Sequence, residues 1–102
     1  MVKLVWTELA TKDLEEIFNY IAKDSVRYAS FSVNKIYNRA QDIIYNPYVG
    51  RVVPEINNKV IREVISGNYR IVYKIVNEFQ VDILRVYHSA RLLKADRLDK
   101  PI

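Results

Sequence analysis

The chain of 102 residues carries 16 Lys and Arg against 12 Asp and Glu, which gives a net charge of +4 at pH 7. We expect one domain over residues 1–102, because a chain of this length supports a single core. The absence of cysteine excludes disulfides and thiolate metal sites, and a single histidine argues against a His-rich centre, so we expect no metal and no cofactor. No apolar run approaches the roughly 20 residues of a membrane span, and no signal peptide is evident, so we expect no membrane contact and a cytoplasmic location.

The first half of the chain predicts a strand followed by two helices. Lys3–Trp6 is β-prone, and the Thr7 hydroxyl is suited to cap the helix that follows. Apolar residues then recur every three or four positions in two stripes, separated by Asp24-Ser25, which offers the cap of the second helix. These stripes are Ala10, Leu14, Ile17, Ile21 and Val26, Ala29, Val33, Ile36, Ala40, Ile43. They predict an antiparallel helical hairpin that ends before Asn46-Pro47, because proline disfavours helix at the preceding residue.

The second half predicts three strands within residues 60–91, joined by turns at Ser66-Gly67-Asn68 and Asn77-Glu78. The stretch Pro47–Glu55 reads as a loop, and Ala90–Leu98 as a short helix. The fold class is therefore α+β, in the order β-α-α-β-β-β, with the hairpin packed on one face of an antiparallel sheet that includes the first strand.

Side chains in Tyr69–Val76 divide by parity, with Tyr and Ile on one face and Arg70 and Lys74 on the other. Residues 51–102 hold ten Lys and Arg against six Asp and Glu, and ten minus six accounts for the whole net charge of +4. We therefore predict a basic, solvent-facing sheet surface, extended at the strand ends by Arg62, Arg85, His88 and Arg91. A one-sided basic surface is typical of proteins that bind a polyanion or an acidic partner.

Four residues on or beside this surface are candidates for chemistry. If Arg62 and Arg70 both point outward, their guanidinium groups suit phosphate or carboxylate recognition; the alternative is surface ion pairing with Glu55 or Glu63. His88 could act as a general acid or base, or simply cap backbone groups at a strand end. Glu55 could serve as a base beside the arginines, or be an ordinary solvated carboxylate. The eight tyrosines could stack on bases, although the parity of Tyr69–Val76 assigns most of them to packing.

Several short motifs, taken together and in order, resemble the ParE/RelE superfamily of toxins from type II toxin–antitoxin (plasmid stabilisation) systems. They are A-x-x-D-L-x-x-I-x-x-Y-I at 10–21, N-P-x-x-G-R at 46–51, P-E at 54–55, I-R-E at 61–63, G-N-Y-R-I-V-Y at 67–73 and R-V-Y-H-S-A-R at 85–91. The long helical hairpin and the G-R-x-x-P-E, Y-R-I-V-Y and V-x-H-x-x-R elements are most similar to the ParE-type branch.

The two branches of the superfamily imply different functions. The ParE-type branch implies a growth inhibitor that binds DNA gyrase and catalyses no reaction. The RelE-type branch implies a ribosome-dependent mRNA endonuclease, with Arg70 stabilising the transition state, His88 as general acid, and Glu55 or His88 as base. Two features depart from the nuclease pattern: the loop contributes Lys59 alone where other members have several lysines, and Ser89 follows the histidine where a catalytic tyrosine is expected. A binding module that has lost toxicity is the third reading.

Either branch implies a cognate antitoxin that wraps the domain. The resemblance places target or antitoxin contacts on the basic surface, at Arg51, Arg62, Arg70, Arg85 and Arg91. An acidic antitoxin segment facing these groups would account for the charge asymmetry.

Overall fold

The computed structural model describes residues 2–89 of the protein. Arg91 and the helix predicted at Ala90–Leu98 lie outside the described residues. The elements are β1 (Lys3–Trp6), α1 (Glu8–Ala22), α2 (Val26–Gln41), a single 3-10 turn (Asp42–Ile44), β2 (Arg51–Val52), β3 (Ile61–Ser66), β4 (Tyr69–Asn77) and β5 (Gln80–His88). The predicted α+β class and the order of helices and strands are confirmed.

The five strands form one mixed sheet in the order β1-β5-β4-β3-β2. The sheet that was predicted as antiparallel is mixed at one edge: β1 runs parallel to β5, while the other pairs are antiparallel. The loop predicted at Pro47–Glu55 also contains the two-residue strand β2, which pairs with β3. Sequence patterns did not reveal this strand because two residues are too few to show a period.

Hydroxyl caps define where both helices begin, as predicted. The Thr7 side chain accepts a hydrogen bond from the Ala10 amide at 3.2 Å, and Ser25 does the same for Tyr28 at 3.0 Å. Thr7 also donates to the Ile83 carbonyl oxygen at 2.8 Å, so the cap connects the start of α1 to β5.

The main core lies between the helical hairpin and one face of the sheet. Ile71, Tyr73 and Ile75 of β4 contribute to it, as the parity of that strand predicts, and Ile36 and Ala40 face them from α2. Burial of such apolar side chains is the principal favourable term in folding.

The opposite face of the sheet is less exposed to solvent than predicted, because the segment after β2 folds over part of it. Val53 packs there against Val72 and Tyr87, with Ile56 and Ile61 at the margin. This second, smaller cluster lies on the same sheet face as Glu63, which pairs with Val72 across β3 and β4.

Candidate functional site

The register between β3 and β4 separates two arginines that were expected to share a face. The turn pairs Ser66 with Tyr69, so even-numbered residues of β3 share a face with odd-numbered residues of β4. Arg62 therefore lies opposite Tyr73 on one face, and Arg70 lies opposite Ile65 on the other. The expectation of two neighbouring guanidinium forks at Arg62 and Arg70 is wrong, because parity within each strand does not give the register between strands.

Within residues 2–89, Arg70 lies at the centre of an ion network of four residues on the second sheet face. Its Nε donates to Glu63 Oε1 at 2.6 Å, and its two terminal nitrogens donate to both Glu55 oxygens at 2.8 and 3.0 Å. Arg51 Nε donates to the other Glu63 oxygen at 2.6 Å. Two arginines and two glutamates make the set neutral, and such matched pairing is what allows charged groups to be buried.

Burial differs sharply along this network. The Glu63 side chain is fully buried and the Arg70 side chain is 6 % exposed, whereas Glu55 is 20 % and Arg51 65 % exposed. Hydrogen bonds from Arg70 to Glu55 and Glu63 raise the pKa of the Arg70 guanidinium above its ordinary value, against the opposing effect of burial. For Arg70, the alternative of ion pairing with Glu55 and Glu63 is therefore what occurs. The pairing is buried, however, and does not lie on the surface as that alternative assumed. Arg51 is the cation through which this network meets solvent.

Two further arginines of the predicted basic surface also have partners in the fold. Arg62 donates to the carbonyl oxygens of Gly50 and Lys59, both at 2.9 Å, and lies over the Tyr48 ring at 4.9 Å. Arg62 therefore connects the segment before β2 to the segment after it.

Arg85 is buried, with 2 % of the residue exposed, and it pairs with Asp13 of α1. Its Nε and one terminal nitrogen donate to the two Asp13 oxygens at 2.8 and 2.9 Å, and the Val86 amide donates to Asp13 at 2.9 Å. These hydrogen bonds raise the pKa of the Arg85 guanidinium. The expectation of an open basic surface that includes Arg70 and Arg85 is wrong in its geometry, while the binding roles of these residues stay predictions.

The structure brings together only part of the predicted nuclease set. Glu55 and Arg70 line one cavity of about 710 Å³, together with Arg51 and Ser89. His88 lines a separate groove of about 770 Å³ between α1 and β5. The reason is again register: His88 pairs with Tyr69 and Tyr87 pairs with Arg70, so His88 and Arg70 start from opposite faces of the sheet.

The groove between α1 and β5 exists because β1 is short. β1 pairs only with Gln80–Ile83, so within residues 2–89 no strand neighbours the second half of β5 on that side. Instead, α1 lies along this edge, where Thr7 bonds the carbonyl of Leu84 and Asp13 bonds the amide of Val86. These contacts satisfy part of an otherwise open strand edge.

Asp13 was not singled out from the sequence, and Glu63 was named only as a surface partner of the arginines, although each organises a buried arginine. For Asp13 the sequence does contain a signal, because it falls three residues after Ala10 and four before Ile17, on the apolar stripe of α1. An acid at such a position predicts a buried cationic partner. No three metal-ligating side chains cluster anywhere within residues 2–89.

Comparison with known proteins identifies the family. The family described as ParE toxin of type II toxin-antitoxin system, parDE, matches residues 4–93. The chain belongs to the ParE toxin family. The predicted superfamily and branch are thus confirmed, and the protein is a ParE-type toxin of a type II toxin–antitoxin system.

Solved structures share the fold of this ParE toxin. A chain from the chromosomal ParDE TA system from P. aeruginosa is 20 % identical with a TM-score of 0.72, covering 86 % of this chain and 96 % of that one. The YoeB dimer from Staphylococcus aureus is 15 % identical with a TM-score of 0.58, covering 85 % and 95 %. No curated protein matches in sequence. None of the helices described in residues 2–89 is long and apolar enough to cross a membrane.

Proposed function

We propose that this ParE toxin inhibits growth by binding DNA gyrase without catalysing a reaction, and that a cognate antitoxin neutralises it. The observation that carries the proposal, beside the family, is the separation of His88 from the Glu55–Arg70 pair. An RNA endonuclease needs its acid, base and phosphate-binding cation around one reacting phosphate. Here Arg70 already places three nitrogens on two glutamates of its own chain.

The first test is induced expression in a bacterial host, with mRNA integrity and plasmid supercoiling sampled from one culture. We expect growth arrest with relaxed or broken DNA and intact transcripts. His88→Ala and Glu55→Gln should retain this phenotype, because neither removes a group needed for a binding-only toxin. Lys74→Ala, an exposed lysine on β4, is the matched control for a change of surface charge.

A second candidate function, the ribosome-dependent endonuclease, is favoured by one contact. Glu55 and Arg70, two members of the predicted set, lie 2.8 Å apart. If this function is correct, transcripts fragment while supercoiling stays normal, and His88→Ala and Glu55→Gln each abolish the fragments.

Antitoxin binding is proposed at the outward side of the ion network. Arg51 is 65 % exposed, so an antitoxin carboxylate can reach it without breaking the buried pairs. Arg51→Ala should weaken antitoxin binding by about two- to fivefold and reduce its salt dependence, because one exposed ion pair contributes about 1 kcal/mol at most. Co-purified toxin and antitoxin, titrated by calorimetry at two salt concentrations, provide the measurement. Equal affinities for Arg51→Ala and the wild type would place the antitoxin elsewhere.

A further inference from the structure

A cluster of exposed aromatic side chains lies where the helical hairpin turns. We call it the aromatic end, and define it as Tyr20, Tyr28, Phe31, Tyr69 and His88. Tyr20 is 73 % exposed, Tyr28 60 % and Phe31 62 %. Large exposed aromatic side chains grouped in one place are unusual on a soluble domain and typically mark a binding surface.

Contacts join these side chains into one surface. Tyr28 and Phe31 stack with ring centroids 6.3 Å apart, and the His88 ring meets the edge of Tyr69 at 5.9 Å. Burial raises the pKa of the Tyr69 hydroxyl, and the nearby hydroxyls of Tyr20 and Tyr28 raise it further. Tyr20, Tyr69 and His88 also line the groove between α1 and β5. Rings from α1 and from the sheet therefore line a single groove of about 770 Å³, and Tyr28 of α2 lies near Tyr69 beside it.

Lysines surround these rings. Lys12 lines the same groove, and Lys23 Nζ lies 5.8 Å from the centre of the Tyr20 ring. Lys35 Nζ lies beside the turn that precedes Tyr69, 3.9 Å from the point that a Cβ on Gly67 would occupy. Helix α2 contains no acidic residue, so it adds no negative charge to this surface.

Within the groove the charges balance, with Lys12 and Arg85 against Asp13 and Glu16. Asp13 lies in the groove, but its carboxylate is already bound to Arg85 and the Val86 amide. Glu16 is the remaining acid that lines it. Around the hairpin turn and the first half of α2, the exposed Lys23, Arg27 and Lys35 outnumber Asp24, which leaves an excess of positive charge beside the exposed rings.

We propose that the aromatic end binds single-stranded nucleic acid, with unpaired bases stacked on Tyr20 and Tyr28 and the phosphates held by the surrounding lysines. Exposed ring faces beside lysines are the combination that single strands require, because each nucleotide carries both a planar base and a negative charge. A duplex hides its base faces and could use only the lysines. This proposal goes beyond gyrase inhibition and antitoxin binding, neither of which requires contact with unpaired bases.

The test is fluorescence anisotropy with a labelled oligothymidylate of about 12 nucleotides, a length within the usual site size for single-strand binders. The purified full-length toxin should bind it more tightly than the blunt duplex of the same length. Tyr20→Ala and Tyr28→Ala should each weaken binding about 5- to 150-fold, the range measured when one stacked base loses its aromatic partner. Both side chains are exposed, so these variants are expected to fold.

Matched control variants distinguish stacking on these rings from non-specific hydrophobic binding and from charge attraction. Tyr45 is 85 % exposed and follows α2 at its opposite end, so Tyr45→Ala should leave the affinity within twofold. Lys35→Ala should reduce the salt dependence of binding, whereas Lys74→Ala should not. Glu16→Gln should tighten binding, because it removes a carboxylate that repels phosphate.

Three results would overturn the proposal. The first is no rise in anisotropy at low salt. The second is duplex binding as tight as single-strand binding, which would leave charge alone as the cause. The third is an equal loss of affinity in Tyr45→Ala and Tyr28→Ala. Binding of an amphipathic peptide in place of the oligonucleotide would assign the surface to a protein partner. All of these measurements use isolated protein, so they succeed or fail independently of the growth and supercoiling experiments.

Discussion

The pair formed by Asp13 and Arg85 gives the sharpest prediction of stability. Asp13→Asn keeps the size of the side chain but removes its charge, so the buried Arg85 guanidinium loses the carboxylate that it binds through two nitrogens. The two side chains are 8 % and 3 % exposed, so water cannot replace the lost carboxylate. Removing one partner of such a buried pair costs about 3–5 kcal/mol, out of a total stability of about 5–15 kcal/mol.

Urea unfolding followed by circular dichroism measures this loss. The midpoint should fall by at least about 1 M, given urea m-values of about 1–3 kcal/mol/M. Glu15→Gln, an exposed acid on the same helix, is the control and should change stability by less than about 0.5 kcal/mol.

A second variant keeps the prediction testable if Asp13→Asn does not fold. Asp13→Leu combined with Arg85→Met removes both charges, and it should be more stable than either single change. The reasoning would be refuted if Asp13→Asn cost less than about 1 kcal/mol with an unchanged m-value, because the pair would then behave as a solvated surface ion pair.

Further predictions concern the segment that leads into the ion network. Burial raises the pKa of the Tyr73 hydroxyl above its usual value of about 10. The protonated hydroxyl therefore contributes its full stability below about pH 10. This contribution is lost as the pH rises through the raised pKa. In denaturant titrations, the free energy of unfolding of Tyr73→Phe should fall less steeply above pH 10 than that of the wild type. Equal slopes against pH for the two proteins would contradict this prediction. The same variant should cost about 1–3 kcal/mol at pH 7, because the buried Gly50 amide loses the acceptor that it bonds at 3.0 Å. Gly50→Ala should lower the melting temperature more than Gly67→Ala does. A Cβ on Gly50 would lie 2.6 Å from the Tyr73 hydroxyl, whereas alanine at position 67 would be strained only by the positive φ of that residue. Glu63→Gln should cost more than Glu55→Gln by urea unfolding, because the Glu63 carboxylate is fully buried and the other is 20 % exposed.

Local sequence signals predicted the elements of this fold well. Thr7 and Ser25 begin helices because their hydroxyls satisfy free amides within three residues, which is a local effect. The apolar alternation of β4 likewise required only neighbouring residues and correctly assigned Ile71, Tyr73 and Ile75 to the core. Where the physical cause lies within a few residues, the sequence was sufficient.

The candidate site depended on long-range facts that local patterns do not contain. Whether Arg70 shares a face with Arg62 or with Ile65 depends on the register across a turn. Whether Arg70 is open or buried depends on a glutamate fifteen residues earlier folding back over the sheet. The basic surface was therefore overestimated, since charge counted along the chain takes no account of partners brought close by folding.

The order of strands in the sheet has a consequence for how the chain folds. β1 is completed by β5, and the buried carboxylate of α1 meets its partner across 72 residues. The helical hairpin and the β3–β4–β5 meander can form from neighbouring segments. β1 cannot pair in the sheet until β5 has been synthesised. Loop closure over such a distance is entropically costly and slows folding. A nascent copy of this toxin therefore stays structurally incomplete at the ribosome until its final strand has emerged, which delays the appearance of the toxic form relative to the start of its synthesis.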